Sequence, residues 1–246
     1  MMVRSYWLGT ELQCVILAGG LGTRMKPHTS TVPKCLLPVA GRPFADWQLT
    51  WLASQGIKRV VYCIGHLGQL VRDYVGDGSS WDLDATFVDE GDRLLGTAGA
   101  LRLALDADIL DESVFVLYGD SYLSVDLSSV EEVFKSSSCP ALMTVFRNAG
   151  HWEESNVIFE GGRVRKYQKH CPNPLPEMLY VDYGLSALHR TMIRDMVNLG
   201  ETVDLATLFE KLSHEGRLAG YEANHRFYEI GSPEGLRSLE EHLNDR

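Results

Sequence analysis

Short apolar runs alternate, along the first half of the chain, with segments whose apolar residues recur at helical spacing. Residues 13–18 (QCVILA) form a continuous apolar run, and 59–64, 85–88, 114–118 and 141–146 repeat the type. Between them, 45–55, 69–75, 97–107 and 130–136 read as helices; the first carries Trp47, Leu49, Trp51 and Leu52 for one face. Runs that are apolar throughout, rather than alternating, suit parallel strands covered on both faces. The repeated strand–helix order predicts an α/β fold, a Rossmann-like mixed, mainly parallel central sheet flanked by helices, with right-handed crossovers.

After Phe146 the rhythm changes. Segments 156–159 and 163–167 flank Glu160-Gly161-Gly162, a hairpin signal. Residues 181–188, 218–221 and 227–230 read as further strands, and 190–198, 204–215 and 233–244 as helices. The last helix has Ser232 as its N-cap and Pro233 at its first position. The proline-bearing stretch 171–176 reads as a surface loop. No internal repeat and no linker divides the chain.

Composition narrows the class. The chain has 246 residues, 45% hydrophobic and 23% charged, an ordinary globular balance. Its net charge of −10 argues against nucleic acid as a partner, because phosphate backbones need basic stripes. No apolar stretch approaches the roughly 18 residues needed to span a membrane, and residues 1–11 lack the apolar core of a secretory signal. Of the five cysteines, Cys14 and Cys63 lie in apolar runs and none forms a CxxC pair. Buried thiols in a reducing, cytoplasmic compartment are expected, without disulfides or zinc.

The candidate chemistry starts where the first strand ends, at Leu17-Ala18-Gly19-Gly20-Leu21-Gly22-Thr23-Arg24. Glycines after a buried strand let the backbone pass close to a ligand and aim N–H groups at phosphate oxygens. The dinucleotide fingerprint would need a third glycine at 25, where Met25 stands, and no Gly-Lys-Ser/Thr of a P-loop follows. A glycine turn alone is equally a tight strand-to-helix turn. Arg24 and Lys34 add two cations ten residues apart, with Pro27 and Pro33 stiffening the loop between them. An arginine can fork onto two phosphate oxygens, and a lysine acts as a compact point charge. Asp120 ends a buried run in Tyr118-Gly119-Asp120, where ligands bind in open α/β sheets.

The stretch LAGGLGTRMKPHTSTVPKCLLPVAGRP, residues 17–43, resembles the signature of the sugar-phosphate nucleotidyltransferase family, LAGGxGTRLxPLTxxxPKxLxPVxGxP. It departs at Met25 and His28. Residues 95–101 (LGTAGAL) and 227–233 (FYEIGSP) are similar to two further family segments, and the resemblance covers roughly 12–244. It implies an N-terminal extension (1–11) before one domain (12–246), with a nucleotide-binding part at 12–146 and a sugar-binding part at 147–246. It further implies an enzyme that joins a nucleoside monophosphate from an NTP to a sugar 1-phosphate, with Mg²⁺ as cofactor.

The residue roles follow the resemblance. Leu17, Ala18, Gly19, Gly20, Gly22 and Thr23 approach the nucleotide. Arg24 stabilises the leaving pyrophosphate and Lys34 contacts the phosphates. Asp120 holds the metal, with Glu229 standing where the family usually has Asp. Glu90, Gly96 and Thr97 fall in the base and ribose region; Thr97 is also expected to N-cap the helix that follows. Asn156, Gln168, Lys169, Asp182 and Gly184 fall around the sugar phosphate, with Gln168 and Asp182 replacing the usual Glu and Asn.

No hexapeptide repeat follows, as expected of the short form of the family, which includes heptose 1-phosphate guanylyltransferases and N-acetylmuramate 1-phosphate uridylyltransferases. GTP with a heptose or mannose-like 1-phosphate is mildly preferred, and UTP- or CTP-dependent transfer to another sugar phosphate or a phospho-alcohol is the alternative. Of a different class is a nucleotide-sugar-binding regulatory subunit without chemistry. Nucleic acid and membranes are not expected partners; a homo-oligomer is left open.

Overall fold

The computed structural model describes residues 10, 12–91, 93–148, 154–169 and 173–244. Apart from Thr10, the expected N-terminal extension lies outside the described residues, as does Cys171. The chain opens with strand β1 (Gln13–Leu17), followed by a loop of three short 3-10 turns and a hairpin of β2 (Pro38–Val39) and β3 (Arg42–Pro43). Then come α1 (Phe44–Ser54), β4 (Arg59–Ile64), α2 (Gly68–Val75), β5 (Asp84–Asp89), α3 (Gly96–Asp106) and β6 (Ser113–Tyr118). Next are β7 (Ser121–Tyr122), α4 (Leu127–Ser136), β8 (Ala141–Arg147), β9 (Val157–Glu160), β10 (Arg163–Tyr167) and β11 (Tyr180–His189). The chain continues with α5 (Arg190–Met196), α6 (Leu205–His214), β12 (Leu218–Ala223), β13 (Tyr228–Glu229) and α7 (Pro233–Asn244).

Among the described residues, nine strands form one sheet in the order β5-β4-β1-β6-β11-β8-β12-β10-β9. The first four run parallel, and the later strands add antiparallel pairings at β6–β11, β11–β8, β12–β10 and β10–β9. Strands β1, β4 and β6 bury both faces, and their side chains divide between two cores at period two. Cys14, Ile16, Val60, Tyr62, Phe115 and Leu117 pack toward Leu49 and Leu52 of α1, Val71 of α2 and Phe134 of α4. Val15, Val61, Cys63, Val114 and Val116 pack on the other face with Leu101 of α3, Ile193 of α5 and Phe209 of α6. That is why these strands read as unbroken apolar runs.

β1 lies between β4 and β6. The connections leave it on opposite sides, which opens a crevice beyond its carboxyl end. A third, smaller core of Met25, Leu37, Val39, Phe44, Ile230 and Leu239 seats the β2–β3 hairpin and α7 beside that crevice. The Gly235 N–H donates to Ser232 Oγ (3.0 Å), the N-cap expected for α7. No helix among the described residues is long and apolar enough to cross a membrane.

Candidate active site

The glycine turn is fixed by the strands on either side of β1. The Ala18 N–H donates to the Cys63 carbonyl (2.8 Å), and the Gly119 N–H to that of Leu17 (2.9 Å). A Cβ at Gly19 would stand 2.5 Å from Glu90 Oε1, so a side chain there would displace that carboxylate. Gly22 has φ +59° and lies against Thr29, whose hydroxyl donates to its carbonyl (2.8 Å), so position 22 needs glycine for both conformation and space. Arg24 follows in a 3-10 turn anchored by the buried Met25, and its own side chain is exposed.

Lys34 stands in a later turn anchored by the buried Cys35, and its ammonium pairs with the Asp120 carboxylate. Asp120 is reached from β6, and buried Gln48 of α1 steadies the bend by donating to the carbonyls of Tyr118 (2.9 Å) and Ser121 (2.8 Å). The Ile230 N–H donates to the Asp120 carbonyl (3.0 Å), and β13 pairs with β7 so that Glu229 faces Ser121. A Cβ at Gly231 would lie 3.0 Å from Glu229 Oε1 and 3.4 Å from Arg24 Nη2, so this glycine lets both charged groups settle over one turn. The loop cations and the two expected metal carboxylates thus come from four separate segments to the end of β6.

Those carboxylates suit a hard divalent cation that takes oxygen ligands. Among the described residues, no group of three or more His, Cys, Asp or Glu is assembled for a metal. Asp120 already holds one cation, the Lys34 ammonium, and two carboxylates leave the remaining positions to substrate phosphates and water.

Opposite the glycine turn, Glu90 accepts the Leu95 N–H on Oε2 (2.6 Å). Burial raises the pKa of its carboxyl, against the lowering effect of that hydrogen bond. Gly96 has φ +74°, and a Cβ there would meet the Val203 carbonyl at 2.6 Å. Thr97 departs from its expected cap. α3 has no side-chain cap at its start. The Thr97 hydroxyl instead donates to Asp204 Oδ1 (2.6 Å) and accepts the Leu205 N–H (2.7 Å), so it closes the N-terminus of α6, a helix more than a hundred residues away. The reason is packing: the α3 start is tied by backbone to Val203, through Val203 N–H to the Leu95 carbonyl (2.9 Å) and Ala98 N–H to the Val203 carbonyl (3.0 Å).

Lys169 Nζ pairs with Asp204 Oδ2 (2.5 Å). Burial alone would raise the Asp204 pKa, but the bonds from Lys169 and Thr97 and the charge of Lys169 outweigh it and hold the carboxyl below its ordinary value. Asn156, Gln168, Asp182 and Gly184 form a connected patch beside Lys169. The Gln168 N–H donates to the Asn156 carbonyl (3.0 Å), the Asp182 N–H to Asn156 Oδ1 (3.3 Å), and the Gly184 N–H to Asp182 Oδ1 (3.0 Å).

Together these segments enclose a cleft of about 330 Å³, lined by the glycine turn, Lys34, Glu90, Gly96, Thr97, Asp120 and Lys169. Glu229 lines a separate cavity that shares no residue with the cleft, and Arg24 is not among the residues that line the cleft. Three residues sit here that the motifs did not single out. Leu94 and Tyr118 line the cleft, and Asp204 neutralises Lys169. Asp204 before the apolar run Leu205–Phe209 does read as an N-cap, but nothing in the local sequence says which lysine its second oxygen meets.

Residues 13–156 match the nucleotidyl transferase family. The chain belongs to that family. It is 34% identical over 225 residues to the N-acetylmuramate alpha-1-phosphate uridylyltransferase of Neisseria meningitidis serogroup B, covering 90% of this chain and 94% of that one. Against longer curated relatives the chain spans little more than half their length, 53% and 58% of two of them. The second of these is the UTP–glucose-1-phosphate uridylyltransferase of Synechocystis sp., 25% identical over 231 residues that cover 88% of this chain. The family fold recurs in a solved UDP-glucose pyrophosphorylase from Acinetobacter baumanii, with a TM-score of 0.77 at 17% identity over 94% of this chain and 93% of that one. The expected nucleotide-diphospho-sugar transferase architecture is therefore the one observed.

Proposed function

We propose that the chain transfers a nucleoside monophosphate from an NTP to a sugar 1-phosphate, giving an NDP-sugar and pyrophosphate. The observation that carries this reading is the convergence of the glycine turn, the Lys34–Asp120 pair and Lys169 on one cleft. A sugar-phosphate oxygen attacks the α-phosphorus in line; the bond between the α-phosphorus and the bridging oxygen breaks, and its electron pair leaves with pyrophosphate. The nucleophile is already anionic, so no general base and no covalent enzyme intermediate are needed. Alignment and charge stabilisation carry the rate, as in other phosphoryl-type transfers.

The chain's own residues divide the work. Gly19, Gly20 and Gly22 admit the triphosphate, Arg24 and Lys34 balance charge on the departing pyrophosphate, and Lys169 receives the sugar phosphate. Asn156, Gln168, Asp182 and Gly184 form the wall of the sugar site. Asp120 and Glu229 would hold Mg²⁺, which would supply charge neutralisation on the reacting phosphates. Glu229 reaches one methylene further than the usual Asp, and Gly231 provides the room. We assign the activity to the cytoplasm, in keeping with the buried free thiols of Cys14, Cys35, Cys63 and Cys139.

GTP with a heptose or mannose-like 1-phosphate is the first substrate pair. UTP is the second reading, favoured by the uridylyltransferase named above, which this chain matches over nearly its whole length. The test is a pyrophosphate-release screen of four NTPs against a panel of sugar 1-phosphates. Turnover with one pair supports transfer; silence across the panel would favour a regulatory subunit that binds nucleotide sugars without chemistry.

A further inference from the structure

We infer that Gln48 is a positioning residue for the metal carboxylates: its side-chain amide fixes the turn that carries Asp120 and, through Ser121, the ribbon that carries Glu229. This rests on the metal-binding reading of those two carboxylates and deepens it. The starting point is a break in the pattern of α1. That helix buries Phe44, Ala45, Gln48, Leu49 and Leu52, and Gln48 is the one polar side chain among them. Position 48 lies one helical turn from Phe44 and from Leu52, within the apolar stripe of the helix. Gln48 is 1% exposed, and its Oε1 is buried without a hydrogen-bond partner among the described residues. A buried polar atom left unpaired costs stability, and a methionine or leucine would fill the same stripe without that cost. What the amide contributes lies at its other end.

The Nε2 group donates to the Tyr118 carbonyl (2.9 Å) and to the Ser121 carbonyl (2.8 Å). Two carbonyl oxygens accept only the N–H₂ end of an amide, so both of its protons go to the residues that bracket Gly119 and Asp120. The backbone there follows a tight course, since a Cβ at Gly119 would stand 2.9 Å from the Leu17 carbonyl oxygen. Ser121 in turn pairs with Glu229 in the β7–β13 ribbon, and the Ile230 N–H donates to the Asp120 carbonyl (3.0 Å). The clamp on Ser121 therefore sets where Glu229 stands relative to Asp120. The same helix registers the loop lysine: the Phe44 N–H at its start donates to the Leu37 carbonyl (3.0 Å), directly after the turn of Lys34. Thus α1 holds the Lys34 and Asp120 segments in one frame, and Gln48 is the point at which that frame meets the aspartate. Losing a group that orients a metal ligand without touching the metal weakens metal affinity or activity by about 10- to 100-fold.

The test is thermal unfolding of the intact protein with inorganic pyrophosphate, titrated with Mg²⁺, in the wild type and in Gln48→Met. Pyrophosphate stands in for the substrate phosphates, so neither base nor sugar enters the measurement. Methionine approximates the volume of glutamine and removes both donors. Without ligand, Gln48→Met should unfold within a few degrees of the wild type, and it should keep the rise in Tm that pyrophosphate gives in the absence of Mg²⁺. It should need about tenfold more Mg²⁺ to reach half of the further rise that the metal adds. Gln48→Asn keeps an amide but is one methylene too short to reach both carbonyls; it should move the Mg²⁺ midpoint in the same direction, and it carries the test if the methionine variant does not fold. An unchanged Mg²⁺ midpoint in a folded variant overturns the inference. Loss of the pyrophosphate response with and without Mg²⁺ alike also overturns it, because Gln48 would then support the cleft as a whole and not the carboxylates. If the wild type shows no Mg²⁺-dependent rise, the metal reading itself falls, an outcome distinct from a metal response that ignores position 48.

Discussion

Adding one methyl group at Gly19 tests how the glycine turn and Glu90 depend on each other. Gly19 does not have a left-handed backbone, so alanine is conformationally acceptable and the cost is spatial. The new Cβ would stand 2.5 Å from Glu90 Oε1, while its other neighbours, Gly65 N at 3.4 Å and Ile64 C at 3.5 Å, are at ordinary contact. The carboxylate must therefore retreat by about 0.9 Å, the difference between 2.5 and 3.4 Å. That movement breaks or lengthens the 2.6 Å bond from the Leu95 N–H. A hydrogen bond to a charged group contributes about 1.5–3 kcal/mol, and for a half-exposed carboxylate we take about 1–2 kcal/mol. In a domain of this size that lowers Tm by roughly 2–8 °C, read by circular dichroism. Glu90→Ala removes the obstacle beforehand. Gly19→Ala made in that background should cost no more than about 0.5 kcal/mol, so the two sites should couple by about 1 kcal/mol in a double-mutant cycle. An equal cost in both backgrounds would refute the reasoning, because the strain would then lie in the backbone and not against Glu90.

Three further outcomes follow from the site. Arg24→Ala should leave the thermal transition in place, since its side chain is exposed, and slow pyrophosphate release by about 10²–10³; wild-type turnover by the folded variant rules out its role at the leaving group. The depressed Asp204 carboxyl contributes stability that is fully present above the ordinary carboxylate range and is lost as pH falls through its lower folded value. Asp204→Asn should flatten the acid limb of stability against pH, and a limb of unchanged slope in urea denaturation contradicts the Lys169–Asp204–Thr97 arrangement. Chelating divalent metal with EDTA should abolish pyrophosphate release and excess Mg²⁺ restore it; full activity in EDTA removes the metal from the reading.

Most of the parallel half of the fold is legible because β1, β4 and β6 are buried on both faces, whereas the edge strand β5 exposes alternate residues. Residues 59–64 read as a strand, apolar from Val60 onward, and form β4 over the same six positions. The hairpin around Glu160-Gly161-Gly162 is legible for a different reason, since Gly161 and Gly162 both take positive φ. What stays hidden is structure without a pattern of its own. Although 227–230 reads as a strand, nothing in it says that β13 pairs with β7, and the β2–β3 hairpin and β7 have strands of two residues, too short to show a period. They form because the third core holds Val39 and Ile230 in place, and only the folded chain brings those residues together.

The same division runs through the site. A motif names residue types at fixed spacing, so Arg24, Lys34 and Asp120 could be read directly from the chain. It says nothing about partners. Lys34 is paired with Asp120 across 86 positions and Lys169 with Asp204 across 35. Thr97 illustrates the limit most sharply: local rules assign it to the start of its own helix, and the fold gives its hydroxyl to the start of another. These partners matter to function because the chain is acidic overall, with a net charge of −10. Unpaired lysines in the cleft would be the obvious attraction for phosphate, yet both already hold a carboxylate. A phosphate that bound there would exchange one anion for another at each ammonium. At Lys34 the exchange has a further consequence, since the carboxylate it releases is Asp120, the group expected to hold the metal.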